Sequence, residues 1–198
     1  KKNYTMHLLY VNGYKKNVSF SRLVHHKSAG RNILRKMNSM EKPNIIIASM
    51  EPLEVSNVAV VYGRKNSIPV VVDVRDLWPE MYFEVVPKSL HFLLLSYVKL
   101  CRLTLKETMS KAYSIIGLSN YFLDYGLKFA GRERNTLDRI FPIAYPNYNY
   151  SKYKQDFKKY WESLGLDSDE FLIIFLGNFG NQFNFECIIE ASNLLKDN

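Results

Sequence analysis

Five short apolar runs recur along the chain, and each has the length of a β-strand. They are Met6–Val11, Asn44–Ser49, Pro69–Val74, Tyr113–Ser119 and Phe171–Gly177. Their apolar residues are continuous rather than alternating, which is typical of strands that are buried on both faces of a parallel sheet. The pattern therefore predicts parallel strands and not a half-solvated antiparallel sheet.

Segments with helical spacing of apolar residues separate these runs. They cover Ser19–Met40, Glu54–Asn66, Lys88–Lys111 and a shorter piece near Tyr121–Phe129. Alternation of strands and helices predicts right-handed crossovers and an α/β fold with a Rossmann-like, doubly wound parallel sheet. Ligands of such sheets bind beyond the carboxyl ends of the strands, so the loops after the strands are where chemistry is expected.

The pattern changes near residue 146. Pro146 is a breaker, a helical pattern then runs to Leu164, and Gly165 suits the C′ position that ends a helix. We predict a first domain over 1–148, an inter-domain linker and helix over 149–168, and the start of a second Rossmann-like domain over 169–198. One strand and one helix cannot bury a sheet of their own, so we expect the second domain to be incomplete and both chain ends to be cut.

Charge is concentrated at one end of the chain. The net charge is +8, and residues 1–40 contain nine Lys/Arg and no Asp or Glu. This asymmetry indicates an anionic partner, which could be a membrane surface, phosphates or nucleic acid, unless it is simply a solvated helix face. Aromatic residues that could stack on bases are sparse in this segment, which favours membrane or phosphate over nucleic acid.

The segment Lys88–Lys111 allows two interpretations. Its apolar residues are abundant, and Lys99, Arg102 and Lys106 fall on one stripe. This pattern fits an amphipathic helix at a membrane interface, and it equally fits a core helix with snorkelling lysines. No apolar run approaches the 18 residues or more that a spanning helix needs.

Several function classes lack support in the sequence. Cys101 and Cys187 are isolated, which predicts neither a disulfide framework nor a metal site and favours a reducing cytoplasm. The pair His25-His26 lies in the basic helix and is predicted to be solvated rather than metal-ligating. There is no Gly-x-Ser-x-Gly, His-Glu-x-x-His or Walker motif, so hydrolase, zinc protease and P-loop functions have no support.

The stretch "VVVDVRDLWPE" combines a buried strand with a polar end. Asp73, Arg75 and Asp76 emerge where the strand stops, and Trp78 offers a flat face for a sugar ring or base. A carboxylate can accept from a hydroxyl, and a guanidinium can grip a carboxylate or phosphate through two hydrogen bonds. The alternative is an internal Asp–Arg network with Trp78 in the core, and the residues alone leave both open.

A second candidate is the loop in "FLIIFLGNFG". Gly177, Asn178 and Gly180 follow a predicted strand and resemble half of a dinucleotide fingerprint, in which backbone amides approach an oxyanion. Two glycines three apart are a weak motif, and a simple tight turn is the alternative.

Taken together, these segments resemble glycosyltransferase family 4. The similarity runs from about Tyr14 onward through "PNIIIASMEPLEVSNVAVVYGRKNSIPVVVDVRDLWPE", "SKAYSIIGLSNYF", "YPN" and "FLIIFLGNFGNQFNFECIIEASNLLK". It is most specific at Asp73–Pro79, whose Asp-x-Arg-Asp-x-Trp-Pro segment is found in bacterial enzymes of capsule, O-antigen and exopolysaccharide assembly. The resemblance implies a GT-B architecture, in which two Rossmann-like domains face one cleft and this chain supplies the first domain and the beginning of the second.

The resemblance also implies roles for particular residues. Arg75 stands where many relatives have a histidine close to the donor sugar, and Asp76 follows it. We predict catalytic roles for Arg75, Asp76 and Asp73, with the two aspartates orienting Arg75 or an acceptor hydroxyl. The resemblance implies donor binding for Gly177, Asn178, Gly180 and Ser119, and acceptor binding for Tyr14, Asn17 and Arg22; Trp78 is predicted to bind the acceptor because of its flat face. The segment "NQFNF" departs from the glycine-bearing continuation that is usual in the family after the glycine loop.

The implied reaction is transfer of a sugar, with retention of configuration, from a nucleotide-sugar donor to a lipid-diphosphate-linked or saccharide acceptor. The resemblance implies no metal and no other cofactor, no nucleic-acid partner, and a cytoplasmic protein at the anionic inner face of the plasma membrane. Two alternatives stay open, a sugar-nucleotide 2-epimerase of the same fold and a non-catalytic basic module that binds membrane or nucleic acid. We expect no transfer by residues 1–198 alone, because half of the donor site would be missing.

Overall fold

A computed structural model of the chain describes residues 4–15, 19–144, 154–166, 173–177, 179 and 183–195. The chain divides into two compact units, Lys1–Tyr145 and Pro146–Asn198. The first unit contains the sheet.

The first unit alternates helices and strands in the predicted order. The helices are α1 (Phe20–Asn38), α2 (Leu53–Lys65), α3 (Tyr82–Val85), α4 (His91–Lys111, after a 3-10 turn at Lys88–Leu90) and α5 (Asn120–Ala130). The strands are β1 (Ile46–Ser49), β2 (Val70–Val74), β3 (Ser114–Gly117) and β4 (Arg139–Ile140). The α/β class is confirmed, and three of the five predicted strands form within their predicted ranges.

The four strands form one all-parallel sheet in the order β1-β2-β3-β4. Consecutive strands are neighbours, and the connecting helices α2, α4 and α5 pack against one another in a row. They therefore lie on one face of the sheet. A doubly wound sheet would have helices on both faces. Within the first unit the described helices that connect the strands cover only one, and Ile47 on the opposite face is 69% exposed. None of the helices in the described part of the chain is long and apolar enough to cross a membrane.

The core lies between the sheet and this row of helices. Alternate residues of β2, Val70, Val72 and Val74, point into it and meet Leu105 of α4 and Leu123 of α5. Complete burial of such a side chain contributes roughly 1.5–3 kcal/mol. Packing in this core thus explains the apolar residues of β2 on one face of the sheet. On the other face Asp73 is buried as well.

The predicted strand Met6–Val11 does not form. Residues 4–14 follow an irregular path beside α1, and the amide Nδ2 of Asn32 donates to the carbonyl of Tyr10 at 2.8 Å. A strand is stabilised by hydrogen bonds to a neighbouring strand, and this segment contacts a helix instead. Its apolar side chains remain outside the core, with Leu8 exposed.

A buried ion pair joins the amino ends of β3 and β4. Asp138, just before β4, is fully buried and accepts two hydrogen bonds from Arg132, at 2.6 and 2.9 Å. It also accepts from the backbone amides of Ile115 at 2.8 Å and Asn135 at 2.9 Å. Burial opposes ionisation of this carboxyl, but these donors together hold its pKa below the usual range.

The second unit contains α6 (Lys154–Ser163) and α7 (Phe185–Leu194). Gly165 follows α6 with φ of +76°, a left-handed conformation that glycine adopts without strain, so its predicted C′ role is confirmed. The predicted strand Phe171–Gly177 is wrong over its described part, because residues 173–177 form no strand. No strand of the described second unit is available to pair with them.

Candidate functional site

Three neighbouring strands end at one edge of the sheet. The register pairs Ser49 of β1 with Asp73 of β2, and Val74 of β2 with Gly117 of β3. The residues that follow the strands therefore emerge side by side, because paired strands lie about 4.8 Å apart. This carboxyl edge carries the side chains of Glu51, Arg75 and Ser119.

Asp73 and Arg75 form an ion pair at the end of β2. Arg75 donates to Oδ2 of Asp73 from Nε at 2.7 Å and from Nη2 at 2.6 Å. The Asp73 side chain is 10% exposed, whereas that of Arg75 is 61% exposed. The internal pairing that the sequence left open is therefore present. Since the guanidinium is anchored along one side and open to solvent on the other, it can still meet a ligand.

Hydrogen bonds from side chains of α5 and α4 hold the turn Trp78–Glu80 in place. The hydroxyl of Tyr125 donates to the carbonyl of Trp78 at 2.8 Å and also forms a short hydrogen bond with the Glu80 carboxylate. Arg102 donates to the other oxygen of Glu80 at 2.9 Å. Burial and the Glu80 contact raise the pKa of Tyr125, so this hydroxyl keeps its proton and remains a donor.

Trp78 itself is held among aromatic rings and is partly buried against the core. Its indole meets the ring of Tyr82 edge-on, with centroids 4.5 Å apart, and Tyr82 meets Tyr97 of α4 in the same way at 5.3 Å. The two alternatives for Trp78, a core residue or a ligand face, are thus not exclusive.

Arg22 of α1 joins two aromatic residues that are far apart in sequence. Its Cζ lies 5.2 Å from the ring centroid of Trp78 and 5.9 Å from that of Tyr14. Both distances are typical of cation–π contacts. The structure therefore brings three of the four predicted acceptor residues together. The fourth, Asn17, lies outside the described residues.

Glu51 is a residue of this edge that the sequence analysis did not single out. It follows β1, and burial raises the pKa of its carboxyl to about 8, aided by the charges of Glu54 and Asp76 and opposed by Arg22. Glu51 is therefore mostly protonated near neutral pH and can donate a hydrogen bond as well as accept one. Its position in "SMEP" at a strand end was a signal, but its burial depends on tertiary contacts.

His26 is buried, so the prediction of a solvated histidine pair is wrong for this member. It faces α2, with Nδ1 3.6 Å from the Glu54 carboxylate, and Arg22 donates to its Nε2 at 3.4 Å. Burial and the charges of Arg22 and His25 lower the pKa of His26 to about 4, so it is neutral and can accept from Arg22. His25 remains partly exposed and stacks edge-on against Tyr14, with centroids 5.0 Å apart.

The remaining predicted residues of the first unit occupy the same edge. Asp76 is exposed just beyond Arg75. Ser119 is the N-cap residue of α5, and its carbonyl accepts from the amide of Leu123 at 3.1 Å. Both lie beside the Asp73–Arg75 pair by strand register.

The predicted donor loop belongs to the second unit, where Asn178 and Gly180 lie outside the described residues. Gly177 is exposed and packs against a ring, since a Cβ there would come within 2.8 Å of the Phe175 side chain. Phe175 also contacts the rings of Phe179 and Phe185.

The carboxyl edge of the first unit therefore combines an anchored but open guanidinium, a protonated carboxyl and a flat aromatic face. Such a set can bind a phosphate or carboxylate beside a hydroxylated ring. No model of a known protein family matches the chain, and no curated protein matches it either.

Proposed function

We propose that residues 1–145 form the acceptor-side half of a retaining glycosyltransferase of the GT-B type, acting in bacterial surface polysaccharide synthesis. The observation that carries the proposal is the contact of Arg22 with both Tyr14 and Trp78, next to the carboxyl edge at which Arg75 follows β2. The family resemblance implies acceptor binding for Tyr14 and Arg22 and a place near the donor sugar for Arg75, and the flat face of Trp78 predicts acceptor binding for that residue.

The acceptor we propose is a saccharide linked to a lipid diphosphate. Arg22 and Arg75 supply positive charge for the diphosphate, and the face of Trp78 suits the apolar side of a sugar ring. The protonated carboxyl of Glu51 adds a donor that a phosphate or hydroxyl oxygen can accept. A carboxylate at the same position would repel the diphosphate.

In the proposed reaction, bond cleavage leaves negative charge on the nucleotide diphosphate and gives the anomeric carbon oxocarbenium character. Fixed donors aimed at the developing charge are the main source of rate acceleration. Arg75 is the group of the first unit that fits this role, and Asp73 orients it through two hydrogen bonds to one oxygen.

Acceptor binding tests this proposal without requiring sugar transfer. Isothermal titration calorimetry of the 198-residue chain with a short-chain prenyl diphosphate saccharide is expected to show binding. Loss of a charged hydrogen bond costs about 1.5–3 kcal/mol, so Arg22→Ala should weaken binding on the order of 10- to 100-fold.

Arg64→Ala is the matched control, because Arg64 is an exposed arginine at the opposite end of α2 from Glu51. It is expected to leave the affinity unchanged. Equal weakening by both variants, or no binding by the unaltered chain, would refute the acceptor site.

A further inference from the structure

His26 of α1 is a buried polar residue to which the proposed reaction gives no role. Its side chain is 8% exposed, and its ring lies between Arg22, one turn earlier on α1, and Glu54 in the first turn of α2. Burial of a polar side chain is costly unless polar partners compensate for the lost water. The partners of His26 therefore show what its burial achieves.

The two ring nitrogens of His26 face groups of opposite charge. Nε2 accepts a hydrogen bond from Nε of Arg22 at 3.4 Å, and Nδ1 lies 3.6 Å from a carboxylate oxygen of Glu54. Burial lowers the pKa of His26 to about 4, so near neutral pH one nitrogen carries a proton and the other accepts. The proton therefore belongs on Nδ1, towards Glu54, and Nε2 is the acceptor for Arg22.

Close packing of α1 against α2 sets the place of the His26 ring. Gly30 follows His26 by four residues and so lies on the same face of α1. A Cβ at Gly30 would come within 3.1 Å of the carbonyl oxygen of Glu54, so the two helices approach closely at this glycine. The distance between His26 and Glu54 is thus fixed by the packing of two helices and not by a loop.

Arg22 extends from His26 to two aromatic rings. Its Cζ lies 5.2 Å from the ring centroid of Trp78 and 5.9 Å from that of Tyr14, which itself stacks edge-on against His25. An arginine side chain has several rotatable bonds, so its guanidinium must be restrained to face a ligand in one orientation. A hydrogen bond at Nε, next to the aliphatic chain, restrains the plane of the guanidinium.

We propose that His26 is a positioning residue for acceptor binding. Backed by Glu54, its ring holds the Arg22 guanidinium in the orientation in which it spans Trp78 and Tyr14 and meets the acceptor diphosphate. The inference rests on the proposed function, because it takes Arg22 as a group that binds the acceptor. Such preorganisation raises affinity by reducing the side-chain entropy that is lost on binding.

Isothermal titration calorimetry with the short-chain prenyl diphosphate saccharide tests this role. His26→Leu offers no acceptor to Arg22, so it should weaken binding roughly three- to tenfold, the contribution of one immobilised side chain. His26→Gln keeps an acceptor near the place of Nε2 and should bind within about twofold of the unaltered chain. His7→Leu is the matched control, because His7 is an exposed histidine, and it should leave the affinity unchanged.

A double-mutant cycle separates positioning from a general loss of structure. In an Arg22→Ala background the group that His26 positions is absent, so His26→Leu should cause no further loss of affinity. A second loss of the same size in that background would overturn the proposal, and so would equal losses in His26→Leu and His26→Gln. Circular dichroism should show that every variant folds.

Nuclear magnetic resonance of the isotope-labelled chain gives a readout that needs no acceptor. The Nε–Hε signal of Arg22 is the one that Arg22→Lys removes. His26→Leu should shift this signal and speed its exchange with water, whereas His26→Gln and His7→Leu should retain it. A signal that His26→Leu leaves unchanged would contradict the positioning contact. A signal that depends on His26 in a chain that binds no acceptor would refute the proposed function and leave the contact itself intact.

Discussion

Two aspartate–arginine pairs of the first unit use the same chemistry at opposite edges of one sheet. At the amino edge, the buried Asp138 carboxylate is saturated by four donors, two from Arg132 and two from backbone amides. At the carboxyl edge, both bonds from Arg75 reach one oxygen of Asp73, and the guanidinium is 61% exposed. The first pair is closed and stabilises the fold, whereas the second is open on its outer side and available to a ligand.

The largest effect is expected from breaking the closed pair. Asp138→Ala leaves Arg132 and two backbone amides without their acceptor, and loss of one partner from a buried pair costs about 3–5 kcal/mol in the free energy of unfolding. Urea unfolding followed by Trp78 fluorescence measures this, in a Trp161→Phe background because the chain has two tryptophans. A loss below about 1 kcal/mol would contradict the structural role of the pair.

Removing Arg75 from the open pair should affect catalysis more than stability. Arg75→Ala in an enzyme that has both halves of the site is expected to lower kcat on the order of 100-fold, as loss of a transition-state donor does. The same change leaves the Asp73 carboxylate, which is 10% exposed, without these two contacts, so the unfolding free energy should also fall, but by less than in Asp138→Ala, where four donors are affected. A kcat close to that of the unaltered enzyme would contradict the proposed role of Arg75.

Glu51 should make stability depend on pH. Its pKa is raised from an ordinary 4.5 to about 8 in the folded chain, so folding favours the protonated form. The stabilisation is complete below about pH 4.5 and is lost as the pH rises towards 8. Between these values the unaltered chain should lose about 1–3 kcal/mol relative to Glu51→Gln, which cannot ionise. Parallel pH profiles of the two proteins in urea unfolding would contradict the burial of Glu51.

The smallest effect concerns the Arg22 contacts. Arg22→Lys keeps the charge but loses the planar group that stacks on Trp78, a contact that contributes about 0.5–1 kcal/mol at exposed sites. Acceptor affinity in calorimetry should therefore fall only about two- to fivefold. A loss as large as that of Arg22→Ala would mean that geometry, and not charge, dominates binding.

The sequence predicted the sheet better where strands have neighbours. Three of the predicted ranges contain the strands β1, β2 and β3, namely Asn44–Ser49, Pro69–Val74 and Tyr113–Ser119. Their continuous apolar runs pack against helices, and each strand pairs with one or two neighbouring strands. Met6–Val11 has the same composition but contacts α1 instead of a strand. The hydrophobic pattern indicates that a segment is able to form a strand. It does not indicate whether a partner strand lies beside that segment.

The candidate site was predictable in part for a similar reason. Strand order alone located Asp73, Arg75 and Trp78 at a carboxyl edge, since polar residues there interrupt an apolar run. Glu51 and His26 were missed or misjudged because their burial arises from packing between α1, α2 and the strand ends, which no local pattern records.

The central claim is that the carboxyl edge, and not the amino edge, of this sheet binds a ligand. Hydrogen exchange of the 198-residue chain, measured by mass spectrometry with and without a short-chain prenyl diphosphate saccharide, tests it most directly. The account predicts slower exchange in peptides covering residues 49–54 and 73–80, with no change in those covering 132–139. Protection confined to the segment around Arg132 and Asp138, or protection nowhere, would contradict it.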